Sequence, residues 1–263
     1  MEQAFSAEAI RAVLAKDSAA AAFFTLESVA ETDSTNTRLC ALARAGAAAP
    51  GRVLIARRQT AGRGRRGRSF VSDTGGVYLS VLLSKKELPA DRTLATVMAA
   101  VAAAEVVERV TGVAPGIKWV NDLYLSGKKI AGILTEGASD AATGEPLYTV
   151  IGIGVNVKER PFPPEIADIA GAIEPLTGAS VSEEALIGEF LLGLYRYLTS
   201  DGADVLLAEY RRRSCVIGKR VTVMSAMPFF AVAREIDDTG ALIVEDGEGK
   251  MHRLSSGEIS VKL

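Results

Sequence analysis

Histidine and cysteine are nearly absent: the 263-residue chain has one histidine, His252, and two cysteines, Cys40 and Cys215. Two cysteines so far apart are too few to imply a disulfide framework, so a reducing compartment fits best. The same shortage argues against a zinc site built from His and Cys ligands. A Mg²⁺ site stays open, since it needs only one or two carboxylates plus substrate phosphates. Positive charge is not in excess either. Against 30 Lys and Arg stand 32 Asp and Glu, the wrong balance for a general nucleic-acid or membrane binder. Long hydrophobic runs are missing as well. The longest apolar stretch, residues 94–107, is interrupted by Thr96 and Glu105 and is too short to span a bilayer. The start, MEQAFSAEAIRAVL, lacks the basic opening and apolar run of a signal peptide. The expected location is the cytoplasm, with no membrane partner.

With 48% hydrophobic and 24% charged residues, the composition is that of an ordinary globular protein. Residues 7–16 read as a short helix and 23–29 as a strand. Asp33 or Ser34 caps a helix running to Arg44 and ending at Gly46. Strands follow at 52–56 and 77–83, then a long Ala/Val-rich helix at 91–110. Short strands at 117–119, 123–125 and 129–135 precede a β-branched strand at 148–157. A proline-rich break at 161–164 leads to a mainly helical stretch at 182–213. Beyond Ser214 the pattern changes to short strands at 220–224, 229–236, 242–245, 251–254 and 259–263, separated by turn signals. The expected division is an α/β unit, residues 1–213, and a small β-barrel, residues 214–263.

Four segments carry candidate chemistry. Residues 57–68, RRQTAGRGRRGR, hold six arginines and no acid. Gly62, Gly64 and Gly67 let the backbone approach an anion, and guanidinium forks suit phosphate and carboxylate. A dinucleotide-binding loop or a P-loop would need a helix next, and here a strand follows. A solvated loop and an RNA-binding patch remain as readings of this segment alone. Lys118-Trp119-Val120-Asn121-Asp122, at the end of a short strand, can hold one point charge rigidly between two anions, or simply start a turn. Ser34-Thr35-Asn36 reads alone as a helix cap. Gly152-Ile153-Gly154-Val155-Asn156-Val157 permits close backbone approach, or marks a bulged buried strand.

In order and spacing, STN, Q-x-x-GRGRRGR, KWxND with KKIAGIL, and GIGVNV together resemble the catalytic domain of biotin–protein ligases. The likeness runs from about Phe23 to Gly257-Glu258-Ile259-Ser260. It implies an α+β fold: a mixed β-sheet flanked by helices, related to class II aminoacyl-tRNA synthetases, with an SH3-like barrel after it. It also implies ATP and biotin as substrates with Mg²⁺, and the biotin carboxyl carrier protein of acetyl-CoA carboxylase as acceptor. A homodimer is an open possibility. Biotin would be met by Ser34, Thr35, Asn36, Gln59, Gly62, Arg63, Gly64, Arg65, Lys118 and Gly132. ATP would be met by Arg65, Arg66, Arg68, Phe70, Lys118, Asn121 and Asn156. Lys118 and Arg65 would be catalytic. Phe70 and Val120 depart from the family's usual Trp and Pro; a phenyl ring can still stack on adenine. Only about 30 residues precede STN, less than the winged helix of relatives that repress transcription. The expectation is a monofunctional enzyme without specific DNA binding.

The chemistry agrees with the residue types. A carboxylate is already ionised at neutral pH and needs no base to attack the α-phosphorus. The need is positive charge and positioning against a triphosphate. When the acceptor lysine attacks, either Asp122 or water can take its proton. A lipoate–protein ligase shares the fold, but its typical arginine–glycine–histidine motif is lacking. An arginine-rich RNA binder would need interleaved aromatics, and Phe70 only flanks the run.

Overall fold

A computed structural model describes residues 3–87, 92–139, 142–143, 146–200 and 202–261. Two short helices come first, α1 (Ala7–Leu14) and α2 (Ser18–Phe23). Ser6 caps α1 by accepting from the Ala9 N–H, and Asp17 caps α2 by accepting from Ala19 and Ala20. The strand expected from residue 23 therefore begins only at Thr25, because the capped alanine run continues as helix to Phe23. Next come β1 (Thr25–Thr32), α3 (Thr35–Arg44), β2 (Arg52–Gln59), β3 (Gly76–Ser84) and α4 (Arg92–Thr111). The expected first residue of that last helix, Asp91, lies outside the described residues.

Four further strands, β4 (Gly116–Lys118), β5 (Asp122–Leu125), β6 (Lys128–Ser139) and β7 (Pro146–Asn156), complete a seven-stranded sheet ordered β1-β2-β3-β7-β6-β5-β4. Only β1 and β2 pair in parallel, so the sheet is mixed. Between β5 and β6, Ser126 and Gly127 both take positive φ, 49° and 74°, as a two-residue hairpin turn of the type that matches strand twist requires. Helices α5 (Ile173–Thr177), α6 (Glu183–Thr199) and α7 (Ala203–Arg213) follow. A five-stranded antiparallel sheet closes the chain, built from β8 (Arg220–Val223), β9 (Phe229–Ile236), β10 (Leu242–Asp246), β11 (Met251–Leu254) and β12 (Ile259–Ser260), in the order β11-β10-β9-β8-β12. Residues 262–263 of the last expected strand are outside the described set.

Strand alternation divides the large sheet into a core face and a site face. Val77, Leu79, Val81 and Leu83 of β3 join Ile151 and Ile153 of β7 in the main core, against the apolar sides of α4 and α6. The opposite face carries Tyr78, Ser80 and Leu82. Under α3 it holds a smaller cluster of Leu39, Cys40, Leu54, Leu82, Tyr148 and Val150. Among the described residues the C-terminal sheet has no separate core. Val221, Ile236, Leu242 and Ile259 belong to the same buried cluster as α4 and the large sheet.

Candidate active site

One register row crosses five strands of the site face: Lys118 pairs with Asp122, Asp122 with Gly132, Gly132 with Gly154, and Gly154 with Tyr78. In the next row Gly152 lies between Ser80 and Leu134. The glycines are there because other groups fill their side-chain space. A Cβ on Gly152 would come within 2.0 Å of Asn36 Oδ1, and one on Gly154 within 2.5 Å of the Phe70 ring. They form the floor of a pocket walled by Ser34, Thr35, Asn36, Gln59, Arg63 and Phe70.

The polar wall is a connected network whose amide orientations are fixed by its ends. Asn36 Nδ2 donates to the Leu134 carbonyl and to Glu136 Oε2, each at 3.1 Å, so Asn36 Oδ1 faces the Ser80 hydroxyl at 2.5 Å. Ser80 Oγ is also 2.7 Å from Thr35 Oγ1. Gln59 Oε1 accepts from the Thr35 N–H and hydroxyl at 2.8 and 3.1 Å. Its Nε2 donates to Ser72, whose hydroxyl donates to the Phe70 carbonyl. Ser34 caps α3, accepting from the Thr37 N–H at 3.4 Å. Ser34, Thr35 and Asn36 are all buried. Their sequence signal as a helix cap was correct, and the same residues also build the pocket wall. Uncharged donors and acceptors in a mainly buried cleft suit a neutral ring system with both N–H and C=O groups.

The arginine segment is a hairpin. Gln59 bridges Ser72, Arg63 bridges Ser69, and the Phe70 N–H donates to the Gly62 carbonyl at 2.9 Å. Gly62 must lack a Cβ, since one would lie 2.3 Å from the Phe70 carbonyl oxygen. At the tip Arg66 takes φ 55°, unusual for a side-chain-bearing residue. The six like charges are not left to repel one another. Each arginine finds an acceptor: Arg57 Glu183, Arg58 Glu31, Arg63 both oxygens of Glu136, Arg65 Asn121 Oδ1, Arg66 the Met224 carbonyl and Arg68 Glu258. Acids distant in sequence supply the compensation that the local composition lacks. A ligand entering the pocket meets the Phe70 ring and the Arg63 guanidinium on its wall.

Lys118 ends β4 at the far side of the glycine floor. Its ammonium forms no ion pair with a carboxylate among the described residues and lies 5.7 Å from the Tyr124 ring centre. Burial lowers its pKa, the Asp122 charge opposes that shift, and Lys129 adds to it. Arg65 is likewise lowered by burial. Asp122, a candidate proton acceptor in the sequence, is engaged by Lys129 at 2.7 Å. Asn121 is held by both ends, its Nδ2 donating to the Ile133 carbonyl at 2.8 Å and its Oδ1 accepting from Arg65 at 3.2 Å.

The structure thus gathers Ser34, Thr35, Asn36, Gln59, Arg63, Phe70 and Gly132 around one pocket. Gly62 and Gly64 shape the hairpin that carries Arg63 and Arg65. Arg66 and Arg68 point to the C-terminal sheet. Phe70, expected against adenine, lies on the glycine floor beside the STN residues. Asn156 is not among the pocket-lining residues. Its Nδ2 donates to the Gly171 carbonyl at 3.0 Å and its Oδ1 accepts from Arg160 at 2.7 Å. Ser72, Ser80 and Glu136 carry no assignment from the sequence, and Lys129 enters there only as part of KKIAGIL without a role. Ser80 leaves a trace as the polar interruption of an apolar strand.

Comparison with known proteins agrees with this geometry. Residues 29–156 match the biotin/lipoate A/B protein ligase family, and residues 216–262 match the biotin protein ligase C-terminal domain. The chain is 33% identical over 243 residues to the biotin–[acetyl-CoA-carboxylase] ligase of Mycobacterium tuberculosis, covering 89% of this chain and 88% of that protein. It is 33% identical over 219 residues to the bifunctional ligase/repressor BirA of Bacillus subtilis, spanning 80% of this chain but only 66% of that protein's length. Among solved structures, a biotin protein ligase from Aquifex aeolicus in complex with biotin and ATP superposes with a TM-score of 0.78 at 27% identity, covering 90% of this chain and 97% of that one. With a glycine-floored polar pocket under an arginine hairpin and both halves of the chain matched, the protein belongs to the biotin protein ligases of the biotin/lipoate A/B protein ligase family.

Proposed function

We propose that the protein activates biotin with ATP, forming biotinyl-5′-AMP and pyrophosphate, and transfers the biotinyl group to a lysine of the biotin carboxyl carrier protein of acetyl-CoA carboxylase or a related carboxylase. The observation that carries this reading is the shared row linking the glycine floor to Lys118, beneath the arginine hairpin. It sets a neutral polar recess and a strong cationic field along one line. In that line the ureido ring occupies the recess by Ser34, Thr35, Asn36 and Gln59, and the valerate chain crosses Gly132. The carboxylate then reaches Lys118 and Arg65. Those cations offset the repulsion between carboxylate and α-phosphate, leaving the carboxylate oxygen to attack phosphorus as pyrophosphate departs. The names of the Mycobacterium tuberculosis and Paracoccus denitrificans relatives support the acceptor.

Mg²⁺ enters in this proposal as MgATP. Among the described residues no three His, Cys, Asp or Glu side chains gather as a metal-binding group, and Mg²⁺ characteristically keeps phosphate and water ligands. Arg66 and Arg68 meet the nucleotide after leaving Met224 and Glu258, and Asn121 and Asn156 are proposed to assist it. The catalytic unit is proposed to be residues 1–213 and the C-terminal unit 214–263. The cytoplasm is the proposed location, and no specific DNA binding is expected. Pyrophosphate–ATP exchange tests the activation step: biotin is expected to support it and lipoate is not. Exchange with lipoate alone would assign the chain to the other branch of the family.

A further inference from the structure

The segment that carries Lys118 is tied to the C-terminal sheet by one buried hydrogen bond. Trp119, the only tryptophan, is 3% exposed and donates its indole N–H to the Gly240 carbonyl at 3.0 Å, across 121 residues of chain. The accepting turn is rigid for stated reasons. Asp237 accepts from the Thr239 N–H and hydroxyl at 2.8 and 2.7 Å, from the Ala241 N–H at 3.0 Å, and from Arg253 at 2.7 Å. Gly240 has φ +81°, and a Cβ there would lie 3.3 Å from Val97 of α4. The turn is therefore seated on the long helix, and its carbonyl is fixed. On either side of Trp119 the chain is pinned by other elements: the Cys215 N–H donates to the Ile117 carbonyl at 3.0 Å and the Tyr210 hydroxyl to the Val120 carbonyl at 2.9 Å.

We infer that Trp119 is a positioning residue: through its hydrogen bond to Gly240, the C-terminal sheet sets where the Lys118 ammonium stands. Trp119 opens the turn that follows β4 and buries its ring in the main core, while its neighbour Lys118, the last residue of the strand, lies in the row that crosses the site face. A shift of the indole moves the backbone on which the lysine is mounted. Oriented charges lose much of their effect with displacements of an ångström. The C-terminal sheet is in this sense part of the activation machinery without contacting the reacting atoms.

The inference rests on the role given to Lys118 under the proposed function, and a double-mutant cycle separates the two. Trp119→Phe keeps one aromatic ring in the core and loses the donor. Asp237→Ala loosens the accepting turn without touching Trp119, so it serves if the first variant folds poorly. Each is expected to lower kcat of biotin-dependent pyrophosphate exchange by about tenfold, with KM for biotin within about twofold and a native circular dichroism spectrum. In a Lys118→Ala background the same changes are expected to have no further effect, because they act through the missing ammonium. A tenfold loss that multiplies with Lys118→Ala, or unchanged exchange in both variants, would overturn the inference. Full exchange in Lys118→Ala alone would refute the role of Lys118 before Trp119 enters, and the positioning role with it.

Discussion

At the scale of single residues, the site depends on two kinds of position: cations held partly out of water, and glycines whose missing side chains are occupied by others. Lys118 is the first kind. Lys118→Ala is expected to depress pyrophosphate exchange by at least about a hundredfold, near 3 kcal/mol, the cost of losing an oriented charge donor. Burial lowers its pKa, and only the ammonium form can steady the phosphate. The rate should therefore fall as pH rises through that lowered value, earlier than for a solvated lysine. In Lys118→Arg the alkaline limb should move to higher pH, since guanidinium stays charged; a pH–rate profile from about pH 7 to about pH 10 reads both. An unmoved limb would remove Lys118 from the titration. Gly152 is the second kind. Gly152→Ala puts a methyl 2.0 Å from Asn36 Oδ1, so KM for biotin should rise at least about tenfold while Gly46→Ala, at an open surface turn, leaves it unchanged. Initial rates of pyrophosphate exchange over a range of biotin concentrations check the pair. STN, GRGRRGR and KWxND were legible because their order and spacing along the chain reinforce one another, although STN alone is an ordinary helix cap. Glu136 and Ser72 were not, since a lone acid or serine announces nothing until folding sets it beside Arg63 or Gln59.

At the scale of elements, the arginine hairpin behaves as a clasp rather than a free loop. Its like charges are compensated by Glu136 on β6, Asn121 before β5, and Glu258 with the Met224 carbonyl in the C-terminal unit. Ligand binding must exchange these partners for carboxylate and phosphate. The Arg68–Glu258 pair is largely solvent-exposed on the arginine side, so Glu258→Gln should change thermal stability little. It should nonetheless free the hairpin tip. Trypsin is expected to cut after Arg66 or Arg68 faster in Glu258→Gln than in the parent chain, and biotin with ATP should protect both. Equal cleavage rates with and without ligands would mean that the hairpin does not close over the site. Local composition cannot forecast this behaviour. Six arginines in twelve residues repel one another locally, and the acids that offset this come from elsewhere in the fold: Glu31 on β1, Glu136 on β6, Glu183 at the start of α6 and Glu258 before β12. Helix and strand positions were read well where periodicity and caps agree, as for α3 and β3; the start of β1 was misplaced because a capped alanine run continued as helix.

For the whole molecule, the consequential fact is that two sheets share one core. The sequence showed the change to short strands near Ser214, but no local pattern could show that Ile236 and Leu242 pack into the cluster of α4, or that Trp119 donates to Gly240. A protein built this way should unfold in one calorimetric transition, with calorimetric and van't Hoff enthalpies equal. A chain ending at Arg213 uncovers Trp119 and part of α4, and should melt lower and lose activation together with transfer. Two separated transitions, or a truncated chain with full exchange activity, would show the C-terminal sheet to be an independent attachment. Purified protein, biotin, MgATP and a biotin carboxyl carrier domain are incubated and the carrier is weighed by intact-mass spectrometry, alongside a carrier whose acceptor lysine is arginine. One added biotinyl group is expected on the lysine-bearing carrier, dependent on ATP, and none on the arginine variant; a lysine-bearing carrier left unmodified, or a lipoyl group added in place of biotin when both acids are supplied, would contradict biotinyl transfer.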